Sequence, residues 1–381
     1  WFDGTLAADG QSIGGKWTLG AMSFPVTFHR LERPHAIKRP QEPTAPLPYD
    51  VRQVRFTGPP GVTFAGELST PRDATGPVPA VFLVSGSGPS DRDEYTAGHK
   101  PFLIIADYLT RRGIAVLRCD DRGVGESTGD RSTATSSDYA DDALFAVRFL
   151  QTQPEVDPKR VGLIGHSEGG LIAPLAATRS ADVAFVIMLA GPATTGERVL
   201  LSQRKLFLES IGAPPEVAAA MMRLSARMIE LGKSALPVEE ARRAAADAVD
   251  AELAALPEDY RKELSGLSAA MQSQVQTLSK PWMRFFLTYD PAATLSQVKC
   301  PVLALVAEKD MHVPADENAP IIEAAFGQSG NARARVVRLP GLNHLFQECQ
   351  TGDSDEFARI EQTMSESALK AMAQWIESLY R

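Results

Sequence analysis

This 381-residue sequence has few cysteines, no long apolar run and no excess of positive charge. Its three cysteines, Cys119, Cys300 and Cys349, have neither the spacing of a disulfide framework nor that of a zinc site. Cys119 and Cys300 adjoin apolar runs, so we expect packed thiols, although the count permits one disulfide bridge. No apolar run approaches the roughly 20 residues of a transmembrane helix, and the best candidate, residues 183–190, has the length of a strand.

Charge and composition narrow the class of protein further. Lys and Arg number 39 against 47 Asp and Glu, and the resulting net charge of −8 argues against nucleic acid as a partner. Hydrophobic residues make up 44% and charged residues 23% of the chain, which is typical of a soluble globular protein. The length allows two or three domains around a large core. We expect a small-molecule partner, and the oligomeric state stays open.

The first 48 residues differ in pattern from the rest of the chain. Residues 1–33 alternate glycine turns with aromatic and β-branched residues, which predicts a β segment of two or more short strands. The sequence begins as if inside a β element, so we expect that further residues precede Trp1 in the natural protein and that this segment is the remnant of a small domain. Five prolines then mark residues 34–48 as an extended, semi-rigid linker.

From residue 49 onward, apolar strand-like runs alternate with helical patterns. Such βα units, with strands buried on both faces, predict an α/β fold with a doubly wound, mostly parallel sheet and right-handed crossovers. We assign residues 49–191 and 291–381 to this domain, which begins with a hairpin over residues 51–70. The expected strands lie near residues 80–85, 114–119, 161–166, 184–190, 301–307 and 334–339, and the expected helices near residues 101–112, 138–152, 168–178, 316–326 and 366–380.

Residues 192–290 interrupt this alternation. The stretch has no strand pattern and is rich in Ala, Glu, Arg and Met, which favour helices. Because it lies between two strands whose carboxyl ends should carry functional groups, we predict a helical cap over that end of the sheet. The alternative is a second helical subdomain packed away from the site.

Gly165, Ser167 and Gly169 form a G-x-S-x-G pattern between an apolar run and a helical one. A serine at the apex of such a tight strand-to-helix turn is typical of a nucleophile elbow. The glycines leave room where a Cβ would clash, and the turn raises the hydroxyl above the sheet edge. We predict that Ser167 is a nucleophile and that the adjacent His166 is structural. The alternative is a tight turn with an incidental serine.

A serine nucleophile needs a base, and the base needs an orienting acid. With an elbow of this kind, the order along the chain is serine, acid, histidine. His344 follows the last expected strand and is our preferred base, with His312 as the alternative. Asp310 follows the apolar run 301–307 and is the preferred acid, with Glu308 as the second candidate.

Attack on a carbonyl also requires amide donors for the developing oxyanion. One expected donor is the backbone N–H of Glu168, the residue after the nucleophile. The other is the backbone N–H of Ser87, within the glycine-rich run at residues 85–89 that follows an early strand. A phosphate-binding loop is disfavoured because the run lacks the Lys-Ser/Thr ending of that motif.

Four aromatic residues, Trp282, Phe285, Phe286 and Tyr289, fall at helical spacing. A helix would place them on one face. We expect this face mainly to pack the cap against the core, and some of its members to line the substrate pocket.

Arg92 and Arg122 lie near expected strand ends, close in sequence to several acidic residues. The favoured interpretation is a network of ion pairs that holds loops. The alternative is a role in binding a substrate carboxylate.

Four motifs give the chain a specific family resemblance. They are Ser-Gly-Ser-Gly-Pro-Ser-Asp-Arg-Asp at residues 85–93, Asp-Asp-Arg-Gly-Val-Gly-Glu-Ser at 120–127, Gly-His-Ser-Glu-Gly-Gly at 165–170, and Pro-Trp-Met-Arg-Phe-Phe with Tyr-Asp-Pro within 281–291. With these motifs, residues from about 46 to 381 resemble the α/β-hydrolase superfamily, and within it a group of bacterial serine esterases. Residues 1–33 resemble the end of the small N-terminal domain of such proteins. The resemblance implies an α/β-hydrolase fold, hydrolysis of short-chain carboxylic esters, no cofactor or metal, and favours a periplasmic or secreted location.

The sequence therefore predicts a serine esterase that uses Ser167, His344 and Asp310 and forms an acyl-enzyme. The same triad serves amide or peptide hydrolysis, lactone opening and acyl transfer, so these reactions stay as alternatives. A haloalkane dehalogenase is disfavoured because that chemistry needs a carboxylate nucleophile at the elbow. A non-catalytic binding protein on the same scaffold is the remote alternative, because all three triad positions are filled.

Overall fold

The computed structural model describes residues 2–19, 22–30, 38–264 and 266–381, and within these ranges the strands form two sheets. The strands are β1 (Phe2–Leu6), β2 (Ser12–Leu19), β3 (Met22–His29), β4 (Tyr49–Thr57), β5 (Thr63–Pro71), β6 (Val78–Val84), β7 (Ala115–Cys119), β8 (Val156–His166), β9 (Val186–Leu189), β10 (Val302–Ala307) and β11 (Ala334–Leu339). The first three form an antiparallel sheet. The others form one sheet in the order β11-β10-β9-β8-β6-β7-β5-β4, parallel except for β4 and β5.

Helices connect the parallel strands. They are α1 (Pro101–Thr110), α2 (Ser136–Gln151), α3 (Gly169–Arg179), α4 (Gly196–Ser210), α5 (Pro215–Lys233), α6 (Val238–Ala254), α7 (Glu258–Glu263), α8 (Leu267–Leu278), α9 (Pro281–Thr288), α10 (Pro291–Leu295), α11 (Ala315–Ser329), α12 (Ser354–Phe357) and α13 (Glu366–Ser378). In the described part of the chain, none of these helices combines the length and apolarity needed to cross a membrane.

The continuous apolar runs become the central strands because both faces of a parallel sheet are covered by helices. Every residue of β7, β9 and β10 is buried. One apolar cluster joins these strands to α1 and α13, and Phe185, fully buried within it, packs edge-on against Trp375. Burial of an aromatic side chain of this size stabilises the fold by about 1.5–3 kcal/mol. The predicted α/β class, with a doubly wound, mostly parallel sheet, is confirmed.

Strand β8 shows where the hydrophobic pattern fails to mark an element boundary. The apolar run predicts a start near residue 161, but the strand begins at Val156. Its first residues pair with β6 through Val78 opposite Val156, followed by a shift of register. Residues 157–160 are only partly buried or exposed, so no apolar run announces this part of the strand.

The chain divides into two compact units. One consists of residues up to 37 together with residues 204–287, and the other of residues 38–203 and 288–381. In the first, α5, α6 and α8 pack together through buried side chains, with Met228, Val249 and Val275 fully enclosed. The predicted cap, residues 192–290, includes the helical part of this unit, and its place over the site stays a prediction. Of the predicted N-terminal segment and linker, Trp1, residues 20–21 and residues 31–37 lie outside the described residues.

Candidate active site

Four parallel strands of the large sheet, within a run of five neighbouring ones, bring the predicted site residues to one edge of that sheet. Loop 85–87 follows β6, Ser167 follows β8, Asp310 follows β10 and His344 follows β11. Because the carboxyl ends of parallel strands meet at the same edge, residues that are far apart in sequence become neighbours there.

Ser167 has the geometry of a nucleophile elbow. Its φ is +53°, a left-handed conformation that non-glycine residues rarely adopt. Within residues 161–174 it is the one residue that is not fully buried. A Cβ on Gly165 would lie 1.9 Å from the carbonyl oxygen of Gly169, and a Cβ on Gly169 would lie 2.1 Å from that of Val84. Both glycines are therefore required by the close approach of the backbone.

His344 and Asp310 form a buried hydrogen-bonded pair. His344 Nδ1 lies 2.7 Å from Asp310 Oδ2. Asp310 Oδ1 accepts hydrogen bonds from the backbone N–H groups of His312 at 2.7 Å and Val313 at 2.8 Å, which fix the carboxylate plane. Because a carboxylate accepts, Nδ1 carries the hydrogen and Nε2 of the neutral ring keeps its lone pair. The imidazole is thus held in the tautomer that a general base needs.

The structure separates the first-choice residues from their alternatives. Glu308 is exposed and its side chain is not the partner of His344, whereas Asp310 is only 4% exposed. The His312 ring stacks on that of His344 with centroids 4.7 Å apart, and its Nε2 lies 2.7 Å from Ser354 Oγ. Burial, together with the nearby His344, lowers the pKa of His312 to about 4. His312 is therefore a neutral neighbour of the Asp310–His344 pair.

Ser167 shares this edge of the sheet with the pair, and its neighbour His166 lies next to His344. The ring of the adjacent His166 is 4.9 Å from the ring of His344. Among the described residues the Ser167 hydroxyl makes no hydrogen bond to His344. Catalytic hydrogen bonds are often long before substrate binds, so this geometry is compatible with a serine–histidine pair.

Three carboxylates, those of Glu94, Asp121 and Glu168, hold loop 85–87, where Ser87 is one predicted oxyanion donor. Each carboxylate accepts a hydrogen bond from a different residue of the loop. The pairs are the Ser85 hydroxyl with Asp121 Oδ1, the Gly86 N–H with Glu94 Oε1, and the Ser87 hydroxyl with Glu168 Oε2, each at 2.7 Å. Sequence analysis named Glu168 for its backbone N–H and missed the part played by its side chain and by the other two acids.

Asp121, which accepts from Ser85, has a strongly raised pKa. Burial raises the pKa of its carboxyl to about 7, although the Ser85 hydroxyl and the Ser90 N–H both donate to it. The negative charges of Glu94 and Glu168 act in the same direction as burial. The loop is thus bound to a group that titrates near neutral pH.

Arg92 and Arg122, the two arginines near the strand ends, are both paired with carboxylates. Arg92 makes two side-chain hydrogen bonds to Asp120, at 3.1 and 2.8 Å, and these raise the pKa of its guanidinium. Arg122 makes a similar pair with Asp142, at 3.0 and 2.6 Å. This arrangement agrees with the ion-pair interpretation and disfavours a substrate-carboxylate role.

The predicted aromatic face is interrupted. Trp282 and Phe286 stack on α9 with ring centroids 6.1 Å apart, but the helix ends at Thr288, before Tyr289. The single face over four residues is therefore wrong for Tyr289, whose hydroxyl is hydrogen-bonded to Thr294. The reason lies in the next residues: Pro291 disfavours a helical Asp290, and Asp290 instead caps α10. Phe285, on α9, is partly buried.

The cysteines and other candidate ligands form no metal centre in the described ranges. Cys119, Cys300 and Cys349 are all free thiols, and Cys119 is buried. Among the residues that the structure describes, no group of three or more His, Cys, Asp or Glu side chains is arranged to hold a metal ion.

Comparison with known proteins identifies the family. Residues 81–360 match the model of the Alpha/beta hydrolase family, and the chain belongs to that family. Esterase EstD of Thermotoga maritima is 36% identical over 176 residues, which cover 46% of this chain and 40% of that protein. The match thus spans less than half the length of this relative. The predicted family resemblance is confirmed.

Solved structures agree on the fold. The α/β hydrolase GrgF from Penicillium sp. sh18 superposes with a TM-score of 0.52 at 20% identity, over 86% of this chain and 98% of that one. The Pyrococcus furiosus esterase Pf2001 gives a TM-score of 0.51 at 15% identity, over 87% and 91% of the two chains. At these identities the similarity concerns the fold alone.

Proposed function

We propose that this protein is a serine hydrolase that cleaves carboxylic esters, with a preference for short acyl chains. The observation that carries the proposal is the Asp310–His344 pair, anchored at 2.7 Å on the same sheet edge as the left-handed Ser167. The similarity to a relative named as an esterase supports an ester rather than another acyl substrate.

In the proposed reaction, Ser167 Oγ attacks the ester carbonyl while His344 Nε2 takes its proton. Asp310 holds the ring and stabilises the imidazolium that forms. The backbone N–H groups of Ser87 and Glu168 donate to the oxyanion. The alcohol leaves with the proton from His344, and water then attacks the acyl-enzyme by the same steps in reverse. No cofactor takes part in this scheme.

Fluorophosphonate labelling tests the nucleophile. The wild-type protein should react and carry one adduct on the peptide that contains Ser167, as located by mass mapping. Ser167→Ala should lose the label and lower kcat by roughly 10⁴-fold or more. Ser132→Ala, a change at an exposed serine, is the matched control and should behave as wild type. Labelling at another residue, or ester turnover that survives in pure Ser167→Ala, would refute the assignment.

A substrate panel separates the reactions that the same triad can perform. p-Nitrophenyl esters of increasing acyl length, aminoacyl amides and lactones should be compared by kcat/KM, with alcohol acceptors added to detect acyl transfer. We expect the short-chain esters to be the best substrates. Faster hydrolysis of amides or lactones would replace the esterase proposal, and no turnover together with no labelling would favour a binding protein.

A further inference from the structure

A buried pair, Glu94 and His166, joins two loops of the candidate active site. Glu94 Oε1 accepts a hydrogen bond from the Gly86 N–H at 2.7 Å and lies 3.0 Å from His166 Nδ1. On the other side of the ring, His166 Nε2 lies 3.0 Å from the main-chain oxygen of His344. A continuous chain of hydrogen bonds therefore runs from loop 85–87 to the backbone of the predicted base.

The chemistry of the contacts fixes how many protons this pair holds. A main-chain carbonyl can only accept, so His166 Nε2 must carry a hydrogen. A neutral ring with its hydrogen on Nε2 would then point the Nδ1 lone pair at the Glu94 carboxylate. One additional proton must lie between Nδ1 and Oε1 for both contacts to be hydrogen bonds. Loss of that proton would break one of the two links.

The surroundings keep this proton on the ring, and the buried pair costs the protein folding free energy. Burial opposes charge on His166, but Glu94 outweighs it, and the pKa of the ring is raised. Phe102, Ile105 and Leu189 are among the largely apolar residues that share a small cavity with the pair. Glu94 itself has φ +52°, and its Oε2 is buried without a hydrogen-bond partner among the described residues. Strain and an unsatisfied carboxylate oxygen concentrate at functional sites.

We propose that Glu94 and His166 are positioning residues, which hold loop 85–87 at a fixed distance from the main chain of His344. The inference rests on the proposed function, because it takes the Ser87 N–H as an oxyanion donor and His344 as the base. Neither side chain is assigned a contact with the reacting atoms. Their effect is to fix the distance between two groups that must act on one substrate carbonyl.

The charged neighbours define how this device responds to pH. Asp310 adds to the effect of Glu94 and raises the pKa of His166, while His312 is neutral near pH 7. The ring of His344 lies 4.9 Å from that of His166, and the charge of Glu94 also raises the pKa of Asp121. Because the pKa of His166 is raised, its proton is retained below that pKa and lost as pH rises through it. We expect kcat to fall on the alkaline side.

Variants of the pair test the inference in the full-length protein. In Glu94→Gln, the atom at the Oε1 position can accept from Gly86 or donate to Nδ1 of a neutral ring, but it cannot do both. We expect kcat to fall by about 10- to 100-fold with KM nearly unchanged, because displacements near 1 Å at a reaction centre have effects of this size. His166→Gln should be similar, and the double variant no worse than the more affected single one. Glu126→Gln, at an exposed carboxylate, is the matched control.

Several outcomes would overturn the inference without touching the proposed function. They are wild-type kcat in Glu94→Gln, losses that multiply in the double variant, or an alkaline limb identical to that of the wild type. Failure of the proposed function would appear separately, as an unlabelled and inactive wild-type protein. Nitrogen-15 NMR of the histidine rings in the wild-type protein needs no turnover, so it tests the inference even if the variants do not fold. Because the pKa of His166 is raised, two ring N–H groups should persist on His166 above pH 6.5, and a ring that is already neutral below that pH would overturn the inference.

Discussion

Replacement of Asp310 by Asn is the sharpest test of the candidate site, because the structure predicts which way the new amide will face. Asp310 Oδ1 accepts two backbone N–H groups, from His312 and Val313. An asparagine oxygen can keep both bonds only if its NH₂ group takes the place of Oδ2, next to His344. That NH₂ group donates to Nδ1, so the hydrogen of the ring moves to Nε2. The lone pair that should accept the Ser167 proton is then lost.

The size of the effect follows from the cost of the opposite orientation. If the amide turned over, its NH₂ group would face two backbone N–H donors, and each buried bond lost costs about 1–3 kcal/mol. At a total of about 2 kcal/mol or more, roughly one molecule in 30 or fewer would keep the active tautomer. That fraction would also lack the charge that stabilises the imidazolium. We therefore expect kcat to fall by about 10³- to 10⁴-fold, as for the same change in other Ser-His-Asp triads.

Stability should change little, which separates this effect from unfolding. The variant keeps both backbone bonds and exchanges one charge-assisted hydrogen bond for a neutral one, a difference of about 1 kcal/mol. We expect a decrease in Tm of no more than about 4 °C. Asp310→Ala, in contrast, leaves two backbone donors without their acceptor and should be less stable.

The assay is kcat on a p-nitrophenyl ester, measured beside thermal unfolding of each variant. Asp316→Asn, at a fully exposed position near the start of α11, is the matched control and should match wild type in both measurements. A loss of kcat below about 30-fold would mean that the amide orientation does not control the tautomer. A decrease in Tm as large as that of Asp310→Ala would refute the claim that the backbone anchor is retained.

Three further predictions follow from burial. Burial raises the pKa of Asp121 from 3.8 to about 7, so between these values the folded protein binds a proton that the unfolded chain has released, and stability falls as pH rises through 7. In urea titrations from pH 5 to 8, Asp121→Asn should flatten this fall. An unchanged slope of the unfolding free energy against pH would contradict the prediction. In the native protein a maleimide should modify Cys349 before Cys119, because Cys119 is only 7% exposed and burial raises the pKa of its thiol. Mass mapping at short reaction times would show the reverse order if this were wrong. Phe286→Ala should cost about 3–5 kcal/mol of stability because its ring is buried, and normal stability with a changed acyl-length profile would instead favour a pocket role.

The fold could be predicted because its main signal is local in sequence. β10 is a run of six apolar residues, buried at every position, and the sequence predicts it almost residue for residue. The start of β8 could not be predicted in this way, since residues 157–160 lie at the shift of register between β6 and β8 and are not buried. The helical spacing of Trp282, Phe285 and Phe286 agrees with helix α9, but the end of that helix depends on the conformational effect of Pro291 on Asp290, which outweighs the regular spacing.

The candidate site likewise contains residues that could be predicted from local sequence and residues that could not. Ser167 is recognisable from five consecutive residues, because the elbow is made by local backbone geometry. The preference for Asp310 over Glu308 needed only the position in the loop, and the structure brings Asp310 to His344. The partners of loop 85–87 were not predictable, because Glu94 and Asp121 meet it only after the chain has folded. Acidic residues beside a loop indicate charge, but the sequence does not say which hydrogen bonds they accept.

The two predicted oxyanion donors are therefore held by different physical means. The Glu168 N–H belongs to the start of α3, where the contacts of Gly165 and Gly169 leave the backbone no alternative path. The Ser87 N–H lies in an exposed glycine-rich loop, and hydrogen bonds to carboxylates hold that loop. Steric constraint does not depend on pH, whereas a carboxylate that gains a proton changes the bonds it accepts. A change of pH within the stable range should therefore alter the position of the Ser87 N–H before that of the Glu168 N–H.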